Sequence, residues 1–108
     1  MKNKGRTANI KTIEEIMGTL EAHKEEVCRK YKVREIGIFG SFVRGEQKKR
    51  SDIDILVEFD QRNIPGLLKF IEMERYLEKL LRKKVDLVRK GGIRPELRKI
   101  ILKEVVYI

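Results

Sequence analysis

The sequence predicts an α/β (α+β) fold in which a small mixed sheet is flanked by helices. Short apolar runs typical of strands alternate along the chain with longer segments of helical periodicity, and this alternation indicates a layered sheet. The chain has 108 residues, the length of one domain rather than two. We expect residues 1–9 to form a flexible basic tail and residues 10–108 to form the single domain.

Three long helices are predicted from apolar spacing and from capping residues. The first covers residues 12–30, because Thr12 can cap its start and Glu15 completes a capping box. The second begins at residues 63–65, where a proline lies near the first helical position and its missing N–H costs nothing. The third covers residues 95–103. The apolar face of the second helix is predicted to consist of Leu67, Leu68, Ile71, Leu77, Leu80 and Leu81.

Four strands are predicted from short runs rich in Ile, Val and Leu: Val33–Phe39, Ile53–Phe59, residues 85–88 and, as a short strand or extended tail, residues 105–108. The second and third are joined by a long helix, so they should be parallel through a right-handed crossover. The first and second are joined by a segment too short for a crossover, which favours an antiparallel pair. The sheet is therefore expected to be mixed.

The balance of charge suits a negatively charged partner. A formal net charge of +9 favours attraction to nucleic acid, a nucleoside triphosphate or an acidic protein. A solvated lysine-rich surface explains the charge equally well, because the basic residues are spread along the chain. Aromatic residues make up only 6% and tryptophan is absent, so no stacking platform for single strands is evident. We therefore do not expect direct nucleic-acid binding.

The cysteine and hydropathy patterns favour a cytoplasmic protein without membrane contact. Cys28 is the only cysteine, which excludes an internal disulfide and favours a reducing compartment. The N-terminal residues lack the apolar core of a signal peptide, and no apolar run approaches the roughly 18 residues of a membrane span. No motif places a catalytic partner beside Cys28 or beside the single histidine, His23, so neither is given a role.

Three aspartates near the starts of two predicted strands suggest a cation site. Asp52 and Asp54 are two residues apart, so in a strand their carboxylates share one face about 6–7 Å apart and repel. Asp86 lies at the same edge of the sheet between two apolar neighbours, where a lone charge is costly. Oxygen ligands select Mg²⁺ or Mn²⁺, and three carboxylates can hold two ions, with Asp86 as the favoured catalytic base. A surface acid pair and a salt-bridged Asp86 would explain the same spacing without a metal.

A Gly-Ser pair, Gly40 and Ser41, follows the first predicted strand and precedes a short turn of helix. Glycine lets the backbone approach a phosphate closely, and N–H groups with a serine hydroxyl form an anion site. Arg44 is three residues further on and could contact the same phosphate. A Gly-Ser pair alone is a weak signal, but its position eleven residues before an Asp-x-Asp pair is a more specific one.

These residues together resemble a known signature. The segment GSFVRGEQKKRSDIDILVEF and the later VDLV resemble the motifs of the DNA polymerase β-like nucleotidyltransferase superfamily, in particular its minimal members. The resemblance implies that superfamily's fold and an active enzyme that uses Mg²⁺ and ATP. It implies a nucleotide-binding set of Gly40, Ser41, Arg44 and Ser51. It also implies that the metal-binding and catalytic set is Asp52, Asp54 and Asp86.

The resemblance also implies a protein partner. Minimal members of the superfamily are typically paired with a HEPN-domain ribonuclease toxin and act as its antitoxin by transferring AMP from ATP to a toxin tyrosine. The three tyrosines of this chain are then expected to be structural. Two alternatives remain open: transfer to a small molecule or an RNA end, and neutralisation of a toxin by binding alone.

Overall fold

A four-stranded mixed sheet forms the centre of the protein. The computed structural model describes residues 11–108, so the tail predicted for residues 1–9 lies outside the described part. The strands are β1 (Val33–Phe39), β2 (Ile53–Phe59), β3 (Val85–Arg89) and β4 (Val106–Tyr107), arranged across the sheet in the order β3-β2-β1-β4. The predicted fold class is confirmed, and the final strand is only two residues long.

In the described part of the chain, four α-helices connect and cover these strands. They are α1 (Ile13–Tyr31), α2 (Ser41–Arg44), α3 (Leu67–Leu81) and α4 (Pro95–Glu104), with single 3₁₀ turns at Gln61–Asn63 and Lys90–Gly92. The predicted capping box at the start of α1 is present, because the Thr12 hydroxyl accepts from the Glu15 N–H and the Glu15 carboxylate accepts from the Thr12 N–H. Within residues 11–108, no helix is both long and apolar enough to cross a membrane.

The pairing of the strands follows the lengths of their connections. β1 and β2 are antiparallel, and β2 and β3 are parallel with α3 as the crossover, as predicted. β4 pairs antiparallel with the outer side of β1. The carboxyl end of β1 and the amino ends of β2 and β3 therefore meet at one edge of the sheet.

The two faces of the sheet are covered unequally. α1 and α3 pack on one face and form the main core with residues such as Ile16, Leu77 and Ile55. The other face carries a small cluster in which Leu56 and Phe39 lie beneath α4. Side chains alternate along β2, so the residues between the main-core positions point toward the face that α4 covers only in part.

The start and first turn of α3 differ from the prediction. The helix begins at Leu67 after Gly66, because residues 61–63 form a separate 3₁₀ turn instead of the first helical turn. Leu67 and Leu68 are 72% and 84% exposed, so assigning both to the core face was wrong. The buried residues of α3 are Met73, Leu77 and Leu81. The spacing predicted a helix correctly, but the sheet covers only its later turns.

Two glutamates of α3 bind the outer side of β3, which is an edge strand. The Val85 N–H donates to the Glu78 carboxylate at 3.1 Å, and the Leu87 N–H donates to the Glu74 carboxylate at 3.1 Å. Residues four apart lie on one side of a helix, and N–H groups two apart point to one side of a strand. Both glutamates can therefore reach the outer side of β3 together. These contacts fix the backbone on either side of Asp86.

Candidate active site

The predicted carboxylates lie side by side at the edge of the sheet where β1 ends. Asp54 of β2 is the direct partner of Asp86 of β3, so their side chains leave the sheet on the same face. Asp54 is also the partner of Phe39, the last residue of β1, which places the following Gly40 next to it. Asp52 directly precedes β2 and is exposed. The predicted gathering of the three aspartates at one edge follows from this register.

The carboxyl group of Asp54 has a strongly shifted pKa. Burial, followed by the negative charges of Asp86 and Asp52, raises the pKa of Asp54 to about 6. The neighbouring Arg44 guanidinium opposes this shift only in part. A group with a pKa near neutrality and two like charges beside it is typical of a functional site and favours a bound cation.

Asp86 is exposed, which corrects the expectation that it would be a costly charge inside an apolar strand. Its neighbours Val85 and Leu87 are buried on the main-core face, while Asp86 points to the face that α4 leaves open. In residues 11–108, no three His, Cys, Asp or Glu side chains are arranged so that they could hold a metal ion. The carboxylates therefore share an edge without converging, and their assignment as a metal triad stays a prediction.

The Gly-Ser turn packs directly against Asp54. Gly40 is buried and has φ +83° and ψ −152°, a conformation that side-chain-bearing residues rarely adopt. A Cβ atom at this position would overlap the Asp54 carboxylate and lie 2.8 Å from its carbon. Ser41 opens α2, and the Gly40 carbonyl accepts from the N–H groups of Val43 and Arg44. Glycine is required here because the turn and the carboxylate occupy neighbouring space.

Arg44 reaches the same edge, where it is held by two glutamates. Its Nε donates to Glu46 at 2.9 Å, and its terminal nitrogen donates to both carboxylate oxygens of Glu104 at 3.0 and 3.2 Å. The Glu104 carboxylate also accepts from the Gly40 N–H at 2.7 Å. Glu104 is therefore a site residue that our sequence reasoning missed. Its only signal in the sequence is its position just before the final strand.

Ser51 closes the loop that precedes the aspartates. Its hydroxyl accepts from the Lys48 N–H at 2.7 Å, and its own N–H donates to the Lys48 carbonyl at 3.0 Å. The hydroxyl hydrogen is left for another acceptor, so the predicted nucleotide contact of Ser51 is still a prediction. Beside it lies a cavity of about 440 Å³ lined by Arg50, Ser51, Asp52, Lys83 and Lys84. This basic wall is a second feature that the motifs did not indicate.

Residues given no catalytic role lie away from this edge. Cys28 packs against the main core, and burial raises the pKa of its thiol, which disfavours a nucleophilic thiolate. His23 shares a hydrogen bond with the Thr19 carbonyl one turn earlier in α1. Tyr31 is buried and donates to Glu72 at 3.1 Å, which suits a structural role.

The family model described as nucleotidyltransferase domain matches residues 20–108, a range that includes the Gly-Ser turn and all three aspartates. This chain belongs to the nucleotidyltransferase family. It is an enzyme of that family, a nucleotidyltransferase.

Several relatives match this nucleotidyltransferase over nearly its whole length. The protein adenylyltransferase MntA of Thermococcus cleftensis is 56% identical over 97 residues, which cover 90% of this chain and 96% of that protein. A candidate protein adenylyltransferase of Methanocaldococcus jannaschii is 51% identical over 100 residues, covering 92% of this chain and 100% of that protein.

Solved structures share the fold. A candidate minimal nucleotidyltransferase superposes with a TM-score of 0.66 at 36% identity, covering 82% of this chain and 92% of that chain. A toxin–antitoxin structure with AMP-PNP gives a TM-score of 0.67 at 26% identity, covering 81% of this chain and 70% of that chain.

Proposed function

We propose that this nucleotidyltransferase is a protein adenylyltransferase antitoxin, which transfers AMP from ATP to a tyrosine of a cognate HEPN ribonuclease toxin. The observation that carries the proposal is the register that sets Asp54 opposite Asp86, with the Gly40 turn packed on Asp54. The proposal is supported by the MntA protein of Thermococcus cleftensis, a protein adenylyltransferase 56% identical to this chain, and by the toxin–antitoxin structure with AMP-PNP.

Asp52, Asp54 and Asp86 would hold Mg²⁺ or Mn²⁺, two ions in the full arrangement. Carboxylate oxygens suit these hard cations, and the raised pKa of Asp54 reflects a local excess of negative charge that a cation would relieve. Because Asp52 and Asp86 are exposed, their side chains can rotate toward Asp54 without moving the sheet. Bound ions would supply Lewis-acid activation of the reacting oxygens and neutralise the triphosphate.

Residues of this chain would bind the nucleotide and accept the proton of the acceptor. The Ser41 N–H, the Ser41 hydroxyl and the Arg44 guanidinium bind and orient the phosphates of ATP, and the Gly40 turn sets their position. Asp86, exposed on an edge strand, accepts the proton of the tyrosine hydroxyl. The tyrosine oxygen bonds to the α-phosphorus while the bond from that phosphorus to the bridging oxygen breaks, and pyrophosphate leaves.

The acceptor comes from another protein. The sheet and its four helices form a single unit, and residues 11–108 contain no separate substrate domain. Tyr31 is buried on the face opposite the aspartates, and it is therefore not a candidate acceptor. The open face beside Asp86 is where a protein acceptor can approach.

The proposal is tested by intact-mass measurement of the purified HEPN partner after incubation with this protein, ATP and Mg²⁺. Steps of one AMP should appear on the partner, and they should be absent with Asp52→Ala and Asp54→Ala. Substituting the tyrosines of the partner one at a time should locate the acceptor. Inhibition of the toxin ribonuclease with no added mass would instead support neutralisation by binding alone and would contradict the proposed transfer.

A further inference from the structure

We propose that Glu104, the last residue of α4, is a positioning residue that holds the Gly40 turn and Arg44 in the arrangement that binds the phosphates of the nucleotide. The inference rests on the phosphate-binding role proposed above for Ser41 in the Gly40 turn and for Arg44. In this proposal Glu104 touches neither the phosphates nor the acceptor, and it acts through the Gly40 turn and Arg44.

The contacts of Glu104 join the Gly40 turn and Arg44 through one carboxylate. It accepts from the Gly40 N–H at 2.7 Å and from one Arg44 nitrogen at 3.0 and 3.2 Å. The Glu104 side chain is 18% exposed, whereas that of Arg44 is 47% exposed. Glu46 also binds Arg44, but its side chain is exposed. Glu104 is the firmer anchor, because its carboxylate is more buried and accepts three hydrogen bonds.

The register of β1 and β4 explains why this residue lies at the turn. Gly37 pairs with Tyr107 and Ile38 pairs with Val106, so continuing the antiparallel register would place residue 104 opposite Gly40. The backbone ladder cannot continue, because the chain is already helical at Glu104. The Glu104 side chain instead supplies the acceptor for the Gly40 N–H, and a shorter or apolar residue would leave that buried N–H without this partner.

Holding Gly40 also sets the distance between the turn and the aspartates. Gly40 packs so closely on Asp54 that a single added carbon would overlap the carboxylate. A turn that moves away from β4 by part of an ångström would change both the position of Ser41 and the direction of Arg44 relative to Asp54. The Glu104 contact therefore affects nucleotide binding through geometry, and substituting it should weaken that binding.

Binding of AMP-PNP with Mg²⁺, measured by titration calorimetry, tests the proposal without any acceptor protein. Glu104→Ala should raise the Kd about tenfold, the effect of losing one charged hydrogen-bond network. Glu104→Gln should give an intermediate Kd, because its amide oxygen still accepts from the Gly40 N–H while the charge facing Arg44 is gone. Glu96→Ala, in the first turn of the same helix, is the matched control and should bind like the original protein.

A double-mutant cycle with Arg44→Ala separates positioning from general loss of structure. If Glu104 acts through Arg44, Glu104→Ala should weaken binding less in the Arg44→Ala background than in the original protein. Full additivity, or a Kd for Glu104→Ala equal to or lower than that of the original protein, would overturn the proposal. The lower Kd would show that Glu104 competes with phosphate. If Glu104→Ala does not fold, Glu104→Gln replaces it. A Kd above that of the original protein then supports the proposal, and an equal or lower Kd overturns it. AMP transfer to a toxin can fail without changing any of these measurements.

Discussion

At Asp54 the protein keeps a half-buried carboxyl beside two other carboxyls, and its pKa of about 6 lies above the ordinary 3.8. The folded state therefore binds this proton more tightly than the unfolded state does. By linkage, the stabilisation that this one proton contributes is fully present below about pH 4 and is lost as the pH rises through 6. The ionised Asp54 carboxyl therefore lowers the free energy of unfolding at neutral pH.

Asp54→Asn should consequently stabilise the metal-free protein at pH 7, by about 1–2 kcal/mol after allowance for solvent screening, while abolishing nucleotide transfer. Urea unfolding in EDTA at pH 4, 5, 6 and 7 measures this, and the gain should grow with pH. Asp52→Asn, at a more exposed position, should give a smaller gain. An Asp54→Asn protein that is less stable than the original at pH 7 would contradict the electrostatic account.

Substituting two glycines that both have positive φ can distinguish the cost of backbone strain from the cost of a steric clash. Gly40 and Gly45 have φ of +83° and +73°, but only Gly40 has Asp54 within reach of an added Cβ, and nothing lies within 4 Å of one at Gly45. Gly45→Ala should cost roughly 1–2 kcal/mol from the left-handed backbone alone. Gly40→Ala should cost more and should also abolish AMP-PNP binding. Equal losses of stability and binding in the two variants would show that the contact with Asp54 does not matter.

At the scale of elements, the two glutamates of α3 are what hold the edge strand β3 in place. Glu74 and Glu78 accept the outward N–H groups of Leu87 and Val85, so Asp86 lies between two anchored residues. Glu74→Ala with Glu78→Ala should speed amide hydrogen exchange at residues 85 and 87 and should lower catalytic turnover more than nucleotide affinity. The paired Gln substitutions keep an acceptor oxygen at each position and are the matched control. If the Ala and Gln pairs exchange equally fast, the carboxylates are not the anchors.

The relative directions of β1, β2 and β3 were predictable because they depend on connection lengths and on apolar runs that are local in the sequence. The long helix between β2 and β3 favoured a parallel pair, which places Asp54 and Asp86 at the same edge of the sheet. The exposure of Leu67 and Leu68 was not predictable, because spacing shows which residues share a face but not how far the sheet extends beneath it. Asp86 was misjudged for the same reason, since two apolar neighbours do not show whether the opposite face is covered.

At the scale of the whole molecule, ligand binding should appear as added stability. Mg²⁺ with AMP-PNP should raise the melting temperature well above the value in EDTA, because both bind only the folded state. Asp86→Asn should remove most of the metal-dependent part of this increase. Scanning fluorimetry with each component alone and together measures it. An unchanged increase in the Asp86 variant would remove Asp86 from the proposed metal ligands.

The proximity of the motif residues was predictable, whereas the contact that Glu104 makes with them was not. Gly40, Asp52 and Asp54 lie within one short segment, so a single signature contains them all. Glu104 is sixty-four positions from Gly40, and only the pairing of β4 with β1 brings the two together. A long-range contact of this kind depends on the register of a two-residue strand, which no local pattern specifies.

The carboxylates that anchor β3 have a further consequence for self-association. The two edges of a sheet are where a second chain can add a strand and begin a fibre. Here one edge, β3, already has two of its outward N–H groups occupied by Glu74 and Glu78, and the other, β4, is only two residues long. The same side chains that anchor the backbone on either side of Asp86 thus leave the sheet a poor template for amyloid-like growth.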